Sequence, residues 1–221
     1  MKKVMYKIIC FDLFFTLVNP ESNNNIEHTI AGVTKNNWES YMEDIELYYR
    51  RATGVITDPK EIICEVLKKY NIILSNDKIN YLVSSRINRF RNSLLDIDPI
   101  IIQTLNQIKQ KNIPMAIISN SDSIDVMHWE DSPLSKLFIE AVFSFKVGYV
   151  KPNKNIYSYL LNKLKIDASD CLFVGDGGSN EIETAKSLGM KTVLATHFSS
   201  LHSNKKSDFV IYNFEELVNI I

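Results

Sequence analysis

Apolar and polar positions alternate in two different rhythms along the chain. A short apolar run near the N-terminus ends at Asp12, which predicts a buried first strand followed by a polar turn. From about residue 26 to residue 95, apolar residues recur every three or four positions, as on one face of a helix. Asp58 followed by Pro59 predicts a helix start, with Asp58 as N-cap. Because this stretch contains no convincing strand pattern, we expect a bundle of helices inserted into the chain.

From Asp98 onward the pattern changes to an alternation of helix and strand. The predicted helices lie at 99–111, from near Asp122, at 154–165, 179–188 and 213–221. The predicted strands lie at 114–119, 141–145, 171–175, 191–195 and 208–211. They are short and rich in Ile, Val and Phe, as in parallel sheets buried on both faces. The sequence therefore predicts an α/β fold with a doubly wound parallel sheet, in which residues 1–19 and 96–221 form the core and residues 20–95 an all-helical insert.

Composition and charge narrow the class of protein. The 221 residues are 45% hydrophobic and 23% charged, which is ordinary for a soluble globular protein. A net charge of -1 gives no electrostatic reason to expect nucleic acid or a membrane surface as a partner. Lys7 and Asp12 interrupt the N-terminal apolar run, so we interpret it as a strand rather than a signal peptide. Three well-separated cysteines, Cys10, Cys64 and Cys171, predict buried reduced thiols and a cytoplasmic location.

Four polar side chains from distant parts of the sequence follow predicted strands. Asp12, Ser119 and Asp176 each stand at the end of a strand, and Lys151 lies in the loop after another. Taken singly, each has an ordinary explanation: a turn or cap residue for an acid or a serine, and a solvated surface group for a lysine. The carboxyl ends of parallel strands meet at one edge of a sheet, where ligands bind. We therefore expect the four groups to converge there.

These residues stand in four short motifs. The motifs read IICFDLFFTLV at 8–18, IISN at 117–120, VKP at 150–152 and FVGDGGSNE at 173–181. In this order and spacing they resemble the motifs of the haloacid dehalogenase-like (HAD) hydrolase superfamily over nearly the whole chain. The resemblance implies a Rossmann-like core, and it identifies the helical insert over residues 20–95 as a cap, because many members carry a cap between the first and second motifs.

The resemblance also implies roles for individual residues. Asp12 matches the nucleophile that forms a covalent intermediate. Ser119 and Asn120 match the second motif, which hydrogen-bonds the oxygens of the transferring phosphoryl group. Lys151 matches the lysine that neutralises nucleophile and phosphate together. Asp176 matches a magnesium ligand.

The implied cofactor is Mg2+. The resemblance places it on the Asp12 carboxylate, the Phe14 backbone carbonyl and Asp176, with Glu181 nearby to orient bound waters. Oxygen ligands and retained waters are what magnesium prefers.

Phe14 departs from the commonest phosphatase motif. That motif reads Asp-x-Asp-Gly-Thr, and its second Asp is the general acid and base, whereas this chain has Phe14 at that position. Haloacid dehalogenases carry a tyrosine there and generally work without metal. Phosphonatases lack the second Asp but keep magnesium and use a cap lysine. The retained acids, Asp176 and Glu181, have no evident purpose in halide displacement and favour phosphoryl transfer.

The sequence therefore favours a magnesium-dependent hydrolase that acts on a small phosphorylated metabolite. The alternatives are a dehalogenase and a binding or regulatory protein with little turnover. Because Phe14 cannot donate a proton, either the leaving group is already good or another group supplies the proton. His197 and His202 lie in a polar loop and are expected at the surface. Five insert residues are candidates for the pocket wall, although periodicity leaves their facing open: Glu39, Asp44, Tyr48, Arg86 and Arg89.

Overall fold

The computed structural model describes residues 6–21, 25–199 and 206–221. Its centre is a six-stranded sheet in which every pairing of neighbouring strands is parallel. The strands are β1 Ile8–Phe11, β2 Met115–Ser119, β3 Glu140–Phe143, β4 Cys171–Gly175, β5 Lys191–Ala195 and β6 Phe209–Ile211. Their order is β3-β2-β1-β4-β5-β6. The strand order reverses at β1, so the gap beside its carboxyl end is where a ligand is expected to bind in this topology.

Nine α-helices accompany the sheet within the described residues. They are α1 Glu27–Ala31, α2 Lys35–Met42, α3 Ile45–Ala52, α4 Pro59–Lys69, α5 Asn76–Leu95, α6 Pro99–Gln110, α7 Ser144–Val147, α8 Lys154–Leu164 and α9 Glu181–Ser187. Asp58 caps α4 by accepting the backbone N–H of Glu61, as predicted, and Pro59 is the first helical residue. No helix in the described part of the chain is long and apolar enough to cross a membrane.

The sheet is buried on both faces, which confirms the prediction from its apolar strands. Successive residues of β1 point to opposite sides, so Ile9 packs in the cluster that contains α6 residues. Cys10 packs in the opposite cluster, which contains residues of α8 and α9. Cys10 and Cys171 are buried free thiols as expected, whereas Cys64 is only half-buried.

Helices α1 to α5 lie between β1 and α6 in the sequence, and the described residues between 25 and 95 contain no strand. These helices share an apolar cluster of their own, which includes Trp38, Met42, Ile63, Val66 and Leu82. A division of the chain into a core and a cap at residues 20 and 95 remains a prediction.

Several expected elements differ in the structure. No α-helix begins near Asp122; its Oδ1 accepts the backbone N–H groups of Ile124 and Asp125, which closes a turn in place of a helical start. The third strand ends at Phe143 rather than continuing, and the C-terminal segment is a 3-10 helix over Phe214–Asn219. His197 is half-buried rather than exposed and packs on Phe214. His202 lies outside the described residues.

Candidate active site

Asp12 lies one residue beyond β1, at the carboxyl edge of the sheet. Its backbone N–H donates to the carbonyl of Val174 in β4 at 2.9 Å, which continues the strand pairing to this residue. The carboxylate accepts the Thr16 hydroxyl at 3.0 Å on Oδ2 and the Lys151 ammonium at 2.5 Å on Oδ1. Thr16 stands in the first motif, but its contact with Asp12 was not anticipated from sequence.

A tight turn follows Asp12 and carries Phe14. Phe15 has a φ of 60°, and its backbone N–H donates to Val18 at 2.7 Å. This left-handed conformation favours glycine, the residue that the commonest phosphatase motif has at this position; for another residue it costs about 1–2 kcal/mol. The ring of Phe14 meets Phe90 of α5 edge-on, with centroids 5.5 Å apart. Phe14 therefore joins the sheet edge to the inserted helices.

Lys151 is buried between two carboxylates. Its ammonium donates to Asp12 and to Glu181, each at 2.5 Å. Asn120 fixes the lysine backbone from both sides: its Oδ1 accepts the Lys151 N–H at 2.7 Å, and its Nδ2 donates to the Lys151 carbonyl at 3.1 Å. Ser119 is fully buried, and its hydroxyl donates to the Asn120 carbonyl. Asn120 thus has a positioning contact with Lys151 that sequence reasoning did not identify.

The loop after β4 supplies the other two acids. The Asp176 carboxylate accepts the Gly178 N–H at 2.9 Å, and Glu181 accepts the Gly177 N–H at 3.1 Å. A Cβ at Gly175 would lie 2.1 Å from Glu181 Oε1, so any other residue at this position would displace the Glu181 carboxylate. Oxygen atoms of Asp12, Asp176 and Glu181 lie within 4.8 Å of one another.

The electrostatics of this group suit a cation. Burial raises the pKa of Asp12 and raises that of Glu181 more strongly, although Lys151 opposes both shifts. Burial alone would lower the pKa of Lys151, but the two carboxylates outweigh it and the pKa is raised. Two carboxylates therefore share one ammonium, and the Asp176 carboxylate lies beside them. This excess of negative charge and oxygen donors fits a divalent metal ion.

A cavity of about 910 Å3 opens above the acids, between the sheet edge and the inserted helices. Six of the seven site residues expected from sequence line it: Asp12, Phe14, Asn120, Lys151, Asp176 and Glu181. Ser119 lies behind this wall and is not among the described residues that line the cavity.

The inserted helices form one wall of the cavity. The sequence alone could not predict which of their residues face it. Four of the five candidates line the cavity: Glu39, Tyr48, Arg86 and Arg89. Asp44 instead caps α3 by accepting the Leu47 N–H, and it also accepts Lys69.

Sequence reasoning missed Glu27, Arg51 and Asp125, which also line the cavity. Their patterns gave no signal, because helical periodicity marks apolar faces and not buried charged positions.

Buried ion pairs join these helices to the turn after β2. The Arg51 guanidinium donates to Asp122 at 2.7 Å, and Arg86 donates to Asp125 at 2.9 Å. The arginines come from α3 and α5 and both acids from the turn after β2, so these helices contact the sheet edge through charged groups beside the cavity.

Comparison with known proteins identifies the family. A family model described as haloacid dehalogenase-like hydrolase matches residues 9–195. A glyceraldehyde 3-phosphate phosphatase from Methanocaldococcus jannaschii is 26% identical over 232 residues, which covers 98% of this chain and 97% of that protein.

Solved structures share the fold. A HAD family enzyme from Bacteroides thetaiotaomicron, in complex with magnesium and inorganic phosphate, has a TM-score of 0.69 at 17% identity and covers 91% of this chain and 100% of that chain. A 2-haloacid dehalogenase from Pseudomonas syringae pv. Tomato DC3000 has a TM-score of 0.66 at 20% identity, with 98% of both chains covered. Phosphate-binding and halide-displacing proteins therefore both resemble this chain in fold.

Proposed function

Because the chain belongs to the haloacid dehalogenase-like hydrolase family, we propose that it is a magnesium-dependent phosphatase of small phosphorylated metabolites. The observation that carries this proposal is the group of Asp12, Asp176 and Glu181, two of which, Asp12 and Glu181, contact the ammonium of Lys151. Displacement of halide has no evident use for the second and third acids. The relative from Methanocaldococcus jannaschii, named for a small phosphorylated compound, supports the same substrate class.

Asp12, the Phe14 carbonyl and Asp176 would hold the magnesium ion, with Glu181 beside them to orient its waters. When bound, the ion offsets the repulsion between the substrate phosphate and the carboxylates. Lys151 adds a fixed positive charge, and Asn120 holds that lysine in place through two backbone hydrogen bonds.

Asp12 is the proposed nucleophile. One carboxylate oxygen would bond to phosphorus as the ester P–O bond breaks, while Asn120 and Lys151, which line the cavity, bind the phosphoryl oxygens. Ser119 was expected to join them, but it is fully buried and would act only through its hydrogen bond to the Asn120 carbonyl. Water would then cleave the aspartyl-phosphate, releasing inorganic phosphate and restoring the carboxylate. The departing ester oxygen needs a proton that Phe14 does not supply. We therefore expect either a good leaving group, such as an acyl, enol or aryl oxygen, or a proton from elsewhere in the cavity.

Dehalogenation is the second candidate, because Phe14 is compatible with a leaving group that needs no proton. The two reactions differ in their need for metal: the phosphatase requires the ion, whereas a dehalogenase of this family generally does not.

One experiment separates these functions. Phosphate release from aryl, acyl and alkyl phosphates and halide release from 2-haloacids are measured with magnesium and with a chelator. We expect phosphate release that the chelator abolishes and that Asp12→Asn lowers by several orders of magnitude. Asp176→Asn should need a higher magnesium concentration for half-maximal rate. Halide release that is indifferent to the chelator would support the dehalogenase, and tight binding of a phosphate mimic without turnover would support a binding protein.

A further inference from the structure

The cavity wall carries many charged side chains, but its basic residues are already paired with acidic residues. Five basic residues line the cavity: Lys35, Arg51, Arg86, Arg89 and Lys151. Eight acidic residues line it as well, so acidic side chains outnumber basic ones by three. A bound divalent ion would reduce this excess without reversing it.

The arginines of the inserted helices form ion pairs with buried acids. Glu27 is fully buried and accepts Arg89 at 2.6 Å, and Arg86 lies 3.6 Å from the same carboxylate. Burial works to raise the pKa of Glu27, but Arg86 and Arg89 outweigh it and the pKa is lowered, so this acid stays ionised. Glu27 therefore neutralises Arg89 from within the wall, whereas Arg86 is shared between Glu27 and the closer Asp125 at 2.9 Å.

Arg51 is also paired with acidic residues. Its guanidinium pairs with Asp122 at 2.7 Å and with Glu43 at 3.5 Å, and it also donates to the Met42 carbonyl at 2.7 Å. Lys35, at the start of α2, is half-exposed and faces Glu39 at 3.4 Å. Lys151 belongs to the catalytic group. Among the described residues, then, each base on the cavity wall has an acidic partner.

A substrate with a second anionic group would bind to this cavity with lower affinity. Its phosphate would be balanced by the metal ion and Lys151, but a carboxylate on the remainder of the molecule would face paired arginines and surplus acids. Like charges brought together at a binding site lower affinity strongly. Hydroxyl and carbonyl groups would instead be accommodated, because both can accept from the guanidiniums and a hydroxyl can also donate to the carboxylates, without adding charge.

We propose, building on the phosphatase function, that the enzyme selects phosphate monoesters whose remainder is uncharged and polar, and that Glu27 helps to exclude anionic remainders by neutralising Arg89. Glu27 is a specificity residue and does not touch the reacting phosphate. Its effect on Arg86 is smaller, because Asp125 is the nearer partner of that guanidinium.

Two esters with the same carbon skeleton test the proposal: glycerol 3-phosphate, with a neutral remainder, and 3-phosphoglycerate, with a carboxylate. Both leaving groups are primary alcohols, so differences in kcat/KM report the remainder and not the chemistry. We expect glycerol 3-phosphate to be favoured by roughly tenfold or more. Glu27→Gln keeps the side-chain shape but removes the charge, and it should narrow this preference several-fold, mainly through a lower KM for 3-phosphoglycerate.

Two further variants keep the test decisive. Glu65→Gln removes one negative charge from α4 at a position that does not line the cavity, and it should leave the preference unchanged. Glu43 is exposed over 68% of its side chain, so Glu43→Gln is expected to fold even if Glu27→Gln does not. It should narrow the preference in the same direction by a smaller factor.

Calorimetry measures the binding of both esters to the magnesium-loaded protein. It tests the proposed selectivity separately from the proposed phosphatase function. If glycerol 3-phosphate binds more tightly or turns over faster, the selectivity stands. If 3-phosphoglycerate binds or turns over equally well or better, or if neither ester binds, the selectivity is overturned. The phosphatase function is judged separately, by magnesium-dependent phosphate release from the aryl and acyl phosphates.

Discussion

Phe14 stands where the commonest phosphatases of this family place a proton donor. Its ring is held against Phe90 at the cavity wall, so the side chain offers the leaving group an apolar surface. General acid catalysis is typically worth a factor of about 100 to 10,000. The wild-type enzyme should therefore hydrolyse aryl or acyl phosphates faster than alkyl phosphates by something approaching that factor.

Restoring the missing acid tests the interpretation of Phe14. Phe14→Asp should raise kcat/KM for simple alkyl phosphates by about tenfold or more and change aryl phosphates little, because only the poor leaving group needs the proton. Phe14→Asn is the matched control, since it gives a similar shape without an acid. Equal wild-type rates on alkyl and aryl phosphates would mean that another residue already supplies the proton.

The turn between β2 and the 3-10 helix at Trp129–Asp131 carries the acids that bind the inserted helices. Asp122 and Asp125 lie side by side there and face Arg51 and Arg86. Burial, and next the charge of Asp122, raise the pKa of Asp125 to about 6, while Arg86 and Arg51 oppose the shift. The folded protein therefore binds this proton more tightly than the unfolded chain does.

The raised pKa of Asp125 predicts how the free energy of unfolding changes with pH. The contribution of Asp125 to the free energy of unfolding is greatest below pH 4 and falls as pH rises from about 4 to about 6, by on the order of 2–3 kcal/mol. Urea unfolding of the wild type and of Asp125→Asn should show a difference, wild type minus variant, that decreases over this window and is constant above it. A difference that is flat or that grows with pH would contradict the assignment.

At the scale of the whole molecule, the sequence predicted the sheet, its parallel order of elements and the convergence of Asp12, Lys151 and Asp176, because short apolar strands and strand-end polar residues leave local signals. It did not predict the turn at Asp122, where side-chain hydrogen bonds to the backbone compete with a helix. Nor could it orient the inserted helices, since buried ion pairs such as Arg86 with Asp125 join residues far apart in the sequence and lack a periodic signature.

Asp12 is the proposed carrier of the phosphoryl group during turnover. The most direct measurement is to quench the magnesium-loaded enzyme in acid while it turns over an aryl phosphate, and to map the peptides by mass spectrometry. We expect one added phosphoryl group on the peptide that contains Asp12, and none in Asp12→Asn or after chelation of magnesium. A phosphoryl group on a different residue, or undiminished turnover by Asp12→Asn with no labelled peptide, would contradict it.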